Sequence, residues 1–126
     1  RTCCARRSTA APDAPRAVHV PILSARAGWD PDELLRALAE RGHTGRVVPY
    51  EALTARLGTG RGVARGLSAD GEALDGAEAV LARIVPNGSL EQIIYRVDAL
   101  HWLEARGVRV VNPPRCIERC VDKFYT

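Results

Sequence analysis

The 126-residue sequence contains no methionine, a single phenylalanine and a single lysine. Of its 18 basic residues, all except Lys123 are therefore arginines. We expect this imbalance to reflect the base composition of the gene, which makes the lone lysine a candidate for a role that arginine does not fill. Because the first residue is Arg1, the missing methionine also predicts a fragment or a processed chain.

No apolar segment approaches the ~20 residues that a membrane-spanning helix needs, so the sequence predicts no membrane partner. Only 8 residues are prolines, and 46% are hydrophobic. These values exclude the collagen-like and intrinsically disordered classes. A length of 126 residues allows one domain of ordinary size with a real hydrophobic core.

The net charge of +3 belongs to residues 1–16, which contain four arginines and one aspartate without a periodic apolar pattern. This composition is typical of a solvated segment, and we expect a disordered basic tail there. Residues 17–126 carry fourteen basic and fourteen acidic residues. The sequence therefore predicts a formally neutral folded domain over 17–121, without a basic face for nucleic acid.

The four cysteines do not follow a metal-ligating pattern. Cys3 and Cys4 lie in the tail, Cys116 and Cys120 lie near the end, and the three histidines are scattered. Cys116 and Cys120 are four residues apart among apolar neighbours, which predicts small core residues on one face of a terminal helix. We expect reduced thiols and a cytoplasmic location.

Apolar segments of strand length alternate with amphipathic segments along residues 17–121. The predicted strands are 17–23, 45–48, 79–84 and 108–111, and the predicted helices are 30–41, 89–106 and 113–121, with a short helical turn over 50–57. A β-hairpin that turns at Asp70-Gly71 interrupts the alternation. This order predicts an α/β fold with a mostly parallel, doubly wound sheet, in which ligands bind at the carboxyl ends of the strands.

Local signals mark where the helices begin. Asp30 is predicted to cap the first helix as part of a capping box with Glu33, and Ser89 is predicted to cap the second helix with Gln92. Asn112 is predicted to cap the last helix. The apolar stripe of the second helix is predicted to consist of Leu90, Ile93, Ile94, Val97 and Leu100.

Several common sites of such folds are missing from the sequence. Residues 24–30, which follow the first strand, contain one glycine and so do not match a dinucleotide-binding fingerprint. No P-loop and no G-x-S-x-G nucleophile elbow occur anywhere. These absences exclude the nucleotide-binding motifs named here and the commonest hydrolase arrangement.

The segment 83–89 joins the central predicted strand to the capped second helix. Arg83 and the free amides of the helix start would favour an anion such as a carboxylate or a phosphate. In the alternative interpretation, Arg83 pairs with a nearby acid and Asn87 belongs only to a turn. Tyr95 and Arg96 lie one helical turn further on and would face either the same cleft or solvent.

Four short elements of the second half carry a family resemblance. They are the strand end Arg83-Ile84, the segment Leu103-Glu104-Ala105-Arg106-Gly107, the strand end Val110-Val111-Asn112 and the pair Asp122-Lys123. In their order and spacing, residues 79–126 resemble the end of the N-terminal domain of RimK-like α-L-glutamate ligases. The resemblance is to the tetrahydromethanopterin-type ligases in particular, within the ATP-grasp superfamily.

The resemblance implies a Rossmann-like pre-ATP-grasp domain over 17–121, followed at 122–126 by the start of a linker to a missing ATP-grasp domain. In such ligases, ATP with Mg²⁺ or Mn²⁺ converts the carboxylate of a small molecule or a peptide to an acyl phosphate, and L-glutamate then attacks it. The resemblance implies that this piece, without metal ligands or catalytic residues of its own, is inactive alone and binds no cofactor tightly.

The resemblance also suggests which residues would contact ligands in the complete enzyme. Lys123 is expected to reach the nucleotide phosphates, a task that suits the point charge of a lysine. Arg83, Asn87, Tyr95 and Arg96 are expected to lie on the substrate side. Two alternatives remain: a stand-alone α/β module that binds an anionic small molecule, and a domain that mediates homo-oligomer formation.

Overall fold

A computed structural model describes residues 16–58 and 65–121 of the chain. Apart from Arg16, the predicted tail lies outside the described residues, and so do the segment 122–126 and its Lys123. None of the helices in the two described ranges combines the length and the apolar character that crossing a bilayer requires.

The described residues form two sheets and three helices. The strands are β1 (His19–Ser24), β2 (Thr44–Pro49), β3 (Leu53–Arg56), β4 (Gly66–Ala69), β5 (Glu72–Ala73), β6 (Ala79–Ala82) and β7 (Arg109–Val111), and the helices are α1 (Trp29–Glu40), α2 (Leu90–Ala105) and α3 (Pro114–Val121). The larger sheet has the order β2-β1-β6-β7 with all neighbours parallel. The smaller sheet, β3-β4-β5, is antiparallel. This arrangement confirms a mixed α/β architecture and is consistent with a Rossmann-like fold.

Helices cover both faces of the parallel sheet. Two residues of β2 show this, since side chains along a strand alternate between the two faces and Gly45 and Val48 therefore lie on opposite ones. A Cβ atom on Gly45 would lie only 2.7 Å from Leu38 Cδ1 of α1 and 2.9 Å from the Val20 carbonyl oxygen. Glycine at this position therefore allows α1 to pack closely on one face. On the other face, Val48 belongs to the same buried core as Leu100 of α2. The doubly wound arrangement is thus confirmed.

The second half of β2 leads into the antiparallel sheet, and here the predicted helical turn over 50–57 is wrong. A single 3-10 turn (Tyr50–Ala52) is followed by β3, which pairs with β4 from Leu53↔Ala69 to Arg56↔Gly66. The pairing satisfies the backbone of a segment whose side chains are mostly exposed, so its own periodicity did not reveal the strand. The predicted hairpin turn at Asp70-Gly71 is confirmed, with positive φ at both residues.

Helix α2 begins as predicted but buries a different face. Ser89 Oγ accepts a hydrogen bond from the Gln92 amide, and the Gln92 side chain accepts one from the Ser89 amide. The predicted stripe is wrong in the first turns, because Leu90 and Ile94 are exposed. The buried residues of α2 are Arg96, Val97, Ala99, Leu100 and Leu103. The buried face of α2 therefore includes one charged residue, Arg96, which makes polar contacts on the inner side of the helix.

Helix α1 does not use the predicted cap. The helix begins at Trp29 after Gly28, without a side-chain cap, and Asp30 accepts hydrogen bonds from a distant arginine instead. Glu33 accepts hydrogen bonds from Arg36, which lower the pKa of the glutamate. The helix begins earlier than predicted, so Asp30 lies inside its first turn and not at the cap position, and its carboxylate pairs with the distant arginine.

The predicted burial of Cys116 and Cys120 in α3 is also wrong, because both thiols are free and exposed. Pro114 is the buried residue of this helix, and Ile117 packs partly against the core. The buried side of this short helix is formed by Pro114 and Ile117, and the four-residue spacing of the cysteines did not show which side of the helix would be buried.

The capping box of α2 makes a local prediction for stability. Replacing Ser89 by alanine (Ser89→Ala) removes the acceptor for the Gln92 amide, and we expect a loss of about 1 kcal/mol in the free energy of unfolding. Urea denaturation followed by circular dichroism measures it. The matched control is Ser68→Ala on β4, where the hydroxyl is not part of a cap. An equal loss in both variants would contradict the assigned role of Ser89.

Candidate functional site

The carboxyl ends of four parallel strands meet at one edge of the larger sheet, which is where ligands bind in open α/β folds. Residues 83–89 connect β6 to α2 at this edge and are called the β6–α2 loop here. Because β6 lies between β1 and β7, this loop occupies the middle of the edge. Residues from three other parts of the chain hold it in place.

The beginning of the β6–α2 loop is fixed through two main-chain carbonyls. Asn112, which follows β7, donates a hydrogen bond from Nδ2 to the Ala82 carbonyl oxygen at 2.7 Å. Tyr50, which follows β2, donates its hydroxyl to the Arg83 carbonyl oxygen at 3.0 Å. The predicted cap role of Asn112 is thereby replaced by a contact across the sheet, since its backbone adopts a left-handed conformation with φ 53°.

The middle of the loop is fixed by Arg96, whose side chain is 7% exposed. Its Nη1 atom donates to the Pro86 carbonyl oxygen at 2.8 Å, and its Nη2 atom lies 3.5 Å from Glu51 Oε1. A Cβ atom on Gly88 would lie 3.2 Å from Arg96 Nη1 and 2.4 Å from Gln92 Oε1. Glycine therefore lets the loop pass over these two side chains, whose ends would have to shift to admit a larger residue.

Tyr50 is held in its protonated, hydrogen-bond-donating form. Burial raises its pKa well above the ordinary value, although the positive charge of Arg96 opposes that rise. Because the neutral hydroxyl is favoured, it remains a donor to the Arg83 carbonyl throughout the physiological pH range. Across residues 16–58 and 65–121, no buried side-chain nitrogen or oxygen is left without a hydrogen-bond partner.

The side chain of Arg83 forms an ion pair with Asp30 at the start of α1. Arg83 Nε and Nη2 both donate to Asp30 Oδ2, at 3.0 and 2.5 Å. The pair is partly open to solvent, with 32% of the Arg83 side chain and 47% of the Asp30 side chain exposed. Of the two interpretations of Arg83 from sequence, the structure shows the ion pair with an acid, and this partner lies 53 residues earlier in the sequence.

The remaining candidate residues lie in different places. Asn87 is exposed in the β6–α2 loop, directly after Pro86, whose carbonyl oxygen accepts the hydrogen bond from Arg96. Tyr95, in contrast, points to the antiparallel sheet and donates its hydroxyl to the Leu53 carbonyl oxygen of β3 at 3.2 Å. The structure therefore brings Arg83, Asn87 and Arg96 together around the loop and leaves Tyr95 on another side of α2. Lys123 lies outside the described residues.

Sequence reasoning missed Asp30, Tyr50 and Asn112 as members of this site. A signal for Asn112 existed, since it directly follows a predicted buried strand at the ligand-binding edge. Tyr50 likewise follows a predicted strand, as an aromatic residue that carries a polar group. The pairing of Asp30 with Arg83 had no local signal, because it depends on the register of β1 and β6.

The described residues do not fit a metal ion or a phosphate cradle. Within 16–58 and 65–121, no group of three or more His, Cys, Asp or Glu side chains is placed to hold a metal. The loop between β1 and α1 contains one glycine, and Ser24 at the end of β1 donates its hydroxyl to the Arg26 carbonyl oxygen. We therefore assign no ligand of magnesium or ATP phosphates to this part of the chain.

Removing the buried hydroxyl in Tyr50→Phe leaves the Arg83 carbonyl without its donor, and we expect a loss of about 1.5 kcal/mol in unfolding free energy at neutral pH. The raised pKa also predicts a pH effect. In the unfolded chain Tyr50 ionises near the ordinary value of 10.0, whereas in the folded protein burial keeps the hydroxyl protonated at higher pH. The contribution of Tyr50 to wild-type stability is therefore fully present below pH 10.0 and falls as the pH rises above it.

The measurement is urea unfolding of both proteins at several pH values between 8 and 11. The wild-type protein should lose more stability with rising pH than Tyr50→Phe does. The matched control is Tyr95→Phe, in which the lost hydroxyl belongs to a residue that is 39% exposed, so its loss should be smaller. Identical alkaline slopes in wild type and Tyr50→Phe would contradict the assigned state of Tyr50.

Comparison with known proteins gives one informative similarity. No protein-family model matches the chain. Over 52 residues, the chain is 36% identical to the tetrahydromethanopterin:α-L-glutamate ligase of Methanosarcina acetivorans. The matched segment covers 41% of this chain and 16% of that ligase, so the chain spans much less than two thirds of its relative. Part of the chain is thus similar to part of a glutamate ligase.

Proposed function

We propose that this chain contributes the N-terminal α/β domain of an ATP-dependent carboxylate-amine ligase that adds L-glutamate to an acceptor. The observation that carries the proposal is the 36% identity over 52 residues to a glutamate ligase. The parallel sheet supports it, since its ligand-binding edge places charged and polar side chains around one fixed loop. The acceptor named for the relative, tetrahydromethanopterin, is the first acceptor to test.

The proposed reaction proceeds in two steps. A carboxylate oxygen of the acceptor attacks the γ-phosphorus of ATP, which forms an acyl phosphate and releases ADP. The amine of L-glutamate then attacks the acyl carbon, phosphate leaves, and the amine loses a proton as the amide forms. Residues of other domains would perform both steps, and this domain would provide one wall of the acceptor cleft.

Within that wall, Arg83 is the residue best placed to meet an acceptor carboxylate. Both of its hydrogen bonds to Asp30 use Nε and Nη2, so Nη1 has no partner among the described residues. A carboxylate could bind Nη1 while the ion pair persists, because the arginine fork offers donors on two sides. The exposed amide of Asn87 lies in the same loop and could orient that carboxylate. Substrate roles for Tyr95 and Arg96 stay predictions.

The complete gene product that contains this chain provides the test of the ligase. With ATP, Mg²⁺, L-glutamate and tetrahydromethanopterin, we expect release of ADP and phosphate and a product heavier by one glutamyl residue, measured by coupled assay and mass spectrometry. Arg83→Gln should raise the KM of the acceptor about tenfold, the equivalent of about 1.4 kcal/mol for one charged contact. Arg115→Gln, on the exposed side of α3, is the matched control.

Several outcomes would contradict the proposed ligase. AMP release, or ATP turnover that does not depend on an acceptor carboxylate, would contradict it. Tight binding of an anion without any ATP turnover would favour the stand-alone binding module. Sedimentation of the same protein tests homo-oligomer formation.

Lys123 has a separate prediction within the same proposal. If its ammonium group contacts the nucleotide phosphates, Lys123→Ala in the complete gene product should raise the KM of ATP about tenfold and leave the KM of glutamate unchanged. Lys123→Arg is the informative companion, because it keeps the charge but changes its shape. An unchanged KM of ATP in Lys123→Ala would contradict the nucleotide contact and favour a linker residue without a role in binding.

A further inference from the structure

A small pocket lies at the carboxyl edge of the parallel sheet, beside the Arg83–Asp30 ion pair. It has a volume of about 200 Å³ and is lined by residues 24–31, the β1–α1 connection with the start of α1, and by Ile84 of the β6–α2 loop. The pocket therefore lies between the two loops that follow neighbouring parallel strands. This is the position at which open α/β sheets bind small molecules.

Two large apolar side chains of this pocket are exposed. Trp29 is 78% exposed and Ile84 is 68% exposed, although both line the same space. An exposed tryptophan leaves a large apolar surface in contact with water, and a ligand that covers both side chains would remove that surface from water. The indole also offers a flat face, which favours stacking with another planar ring over contact with a flexible chain.

The same pocket carries an acceptor that is not fully used. Both hydrogen bonds from Arg83 go to Asp30 Oδ2, so Asp30 Oδ1 has no hydrogen-bond partner among the described residues. The Asp30 side chain is 47% exposed and lines the pocket. A carboxylate oxygen in this position attracts N–H donors and repels a bare anion.

We propose that this pocket binds a planar, amino-substituted heteroaromatic ring, with one face on Trp29 and its N–H donors at Asp30 Oδ1. An aliphatic group would cover Trp29 and Ile84 but leave the carboxylate oxygen unpaired. An anionic group would find Arg26 in the lining but would cover neither apolar side chain and would leave the Asp30 acceptor without a donor. The inference rests on the proposed ligase in one respect, since such a ring would belong to one of its substrates. Both a pterin acceptor and the adenine of ATP have this chemistry.

Isothermal titration of the complete gene product tests the pocket and distinguishes the two sources of the ring. The probes are 6-methylpterin, 1,3,6-trimethyllumazine, which has no N–H donor, and adenosine. We expect the wild-type protein to bind 6-methylpterin or adenosine, and Trp29→Ala to weaken that binding about tenfold, as expected for the loss of one aromatic stacking contact. The matched control is Leu57→Ala, which removes another highly exposed apolar side chain outside the pocket.

Asp30→Asn tests the hydrogen bond separately. It should weaken binding of 6-methylpterin about fivefold, as expected for one lost hydrogen bond, and change binding of 1,3,6-trimethyllumazine much less, because only the first ligand presents N–H donors to the carboxylate. Thermal unfolding of each variant shows whether the fold is intact, and Trp29→Phe, which keeps a flat ring, should retain most of the affinity. Preference for 6-methylpterin assigns the pocket to an acceptor, and preference for adenosine assigns it to the nucleotide.

The proposed pocket and the proposed ligase fail in different ways. No binding of either ring by the wild-type protein, or equal affinities in wild type and Trp29→Ala, would overturn the pocket even if glutamate ligation is observed. The pocket would also be overturned if Trp29→Ala changed neither the KM of the acceptor nor the KM of ATP. Ring binding without ATP turnover would support the pocket and contradict the ligase.

Discussion

The buried guanidinium of Arg96 holds the loop on which the candidate site depends. A charged group on the inner side of a helix is costly to remove from water unless its hydrogen bonds are satisfied. Here the Pro86 carbonyl oxygen accepts one of these hydrogen bonds at 2.8 Å, and the carboxylate of Glu51, in the 3-10 turn between β2 and β3, lies 3.5 Å from the guanidinium group. The β6–α2 loop therefore cannot move away without leaving a buried charge with poorer partners, and this cost opposes movement of the loop.

Two further carbonyls make the constraint cooperative. Asn112 and Tyr50 approach the exit of β6 from opposite sides, since one follows β7 and the other follows β2. Each contact requires the neighbouring strands to be in register, so the site forms only after the sheet has formed. The β1–α1 connection is different, because its Trp29 side chain remains exposed. The edge thus combines one wall that is fixed by buried polar contacts with one wall that presents an unused apolar surface.

Features determined by local sequence could be predicted, whereas features determined by distant partners could not. The Ser89 capping box and the hairpin turn at Asp70-Gly71 depend on a few consecutive residues, and both were predicted correctly. Asp30 carries an equally good capping signal, but the helix begins before it, and its carboxylate pairs with Arg83 from the neighbouring strand. Strand β3 was missed because its pairing with β4, and not its own side-chain pattern, stabilises it. For the same reason, Arg83 could be named as a site residue while its partner could not.

The Arg83–Asp30 pair determines which ligands suit this edge. A bare anion that approaches Arg83 also approaches Asp30, so the attraction and the repulsion largely cancel in a site that is partly open to water. A ligand that carries a carboxylate and, at a short distance, N–H donors gains from both charges, because Arg83 Nη1 and Asp30 Oδ1 are unused by the described residues. The arrangement of these two charges therefore favours a ligand that presents both a carboxylate and N–H donors over a simple anion.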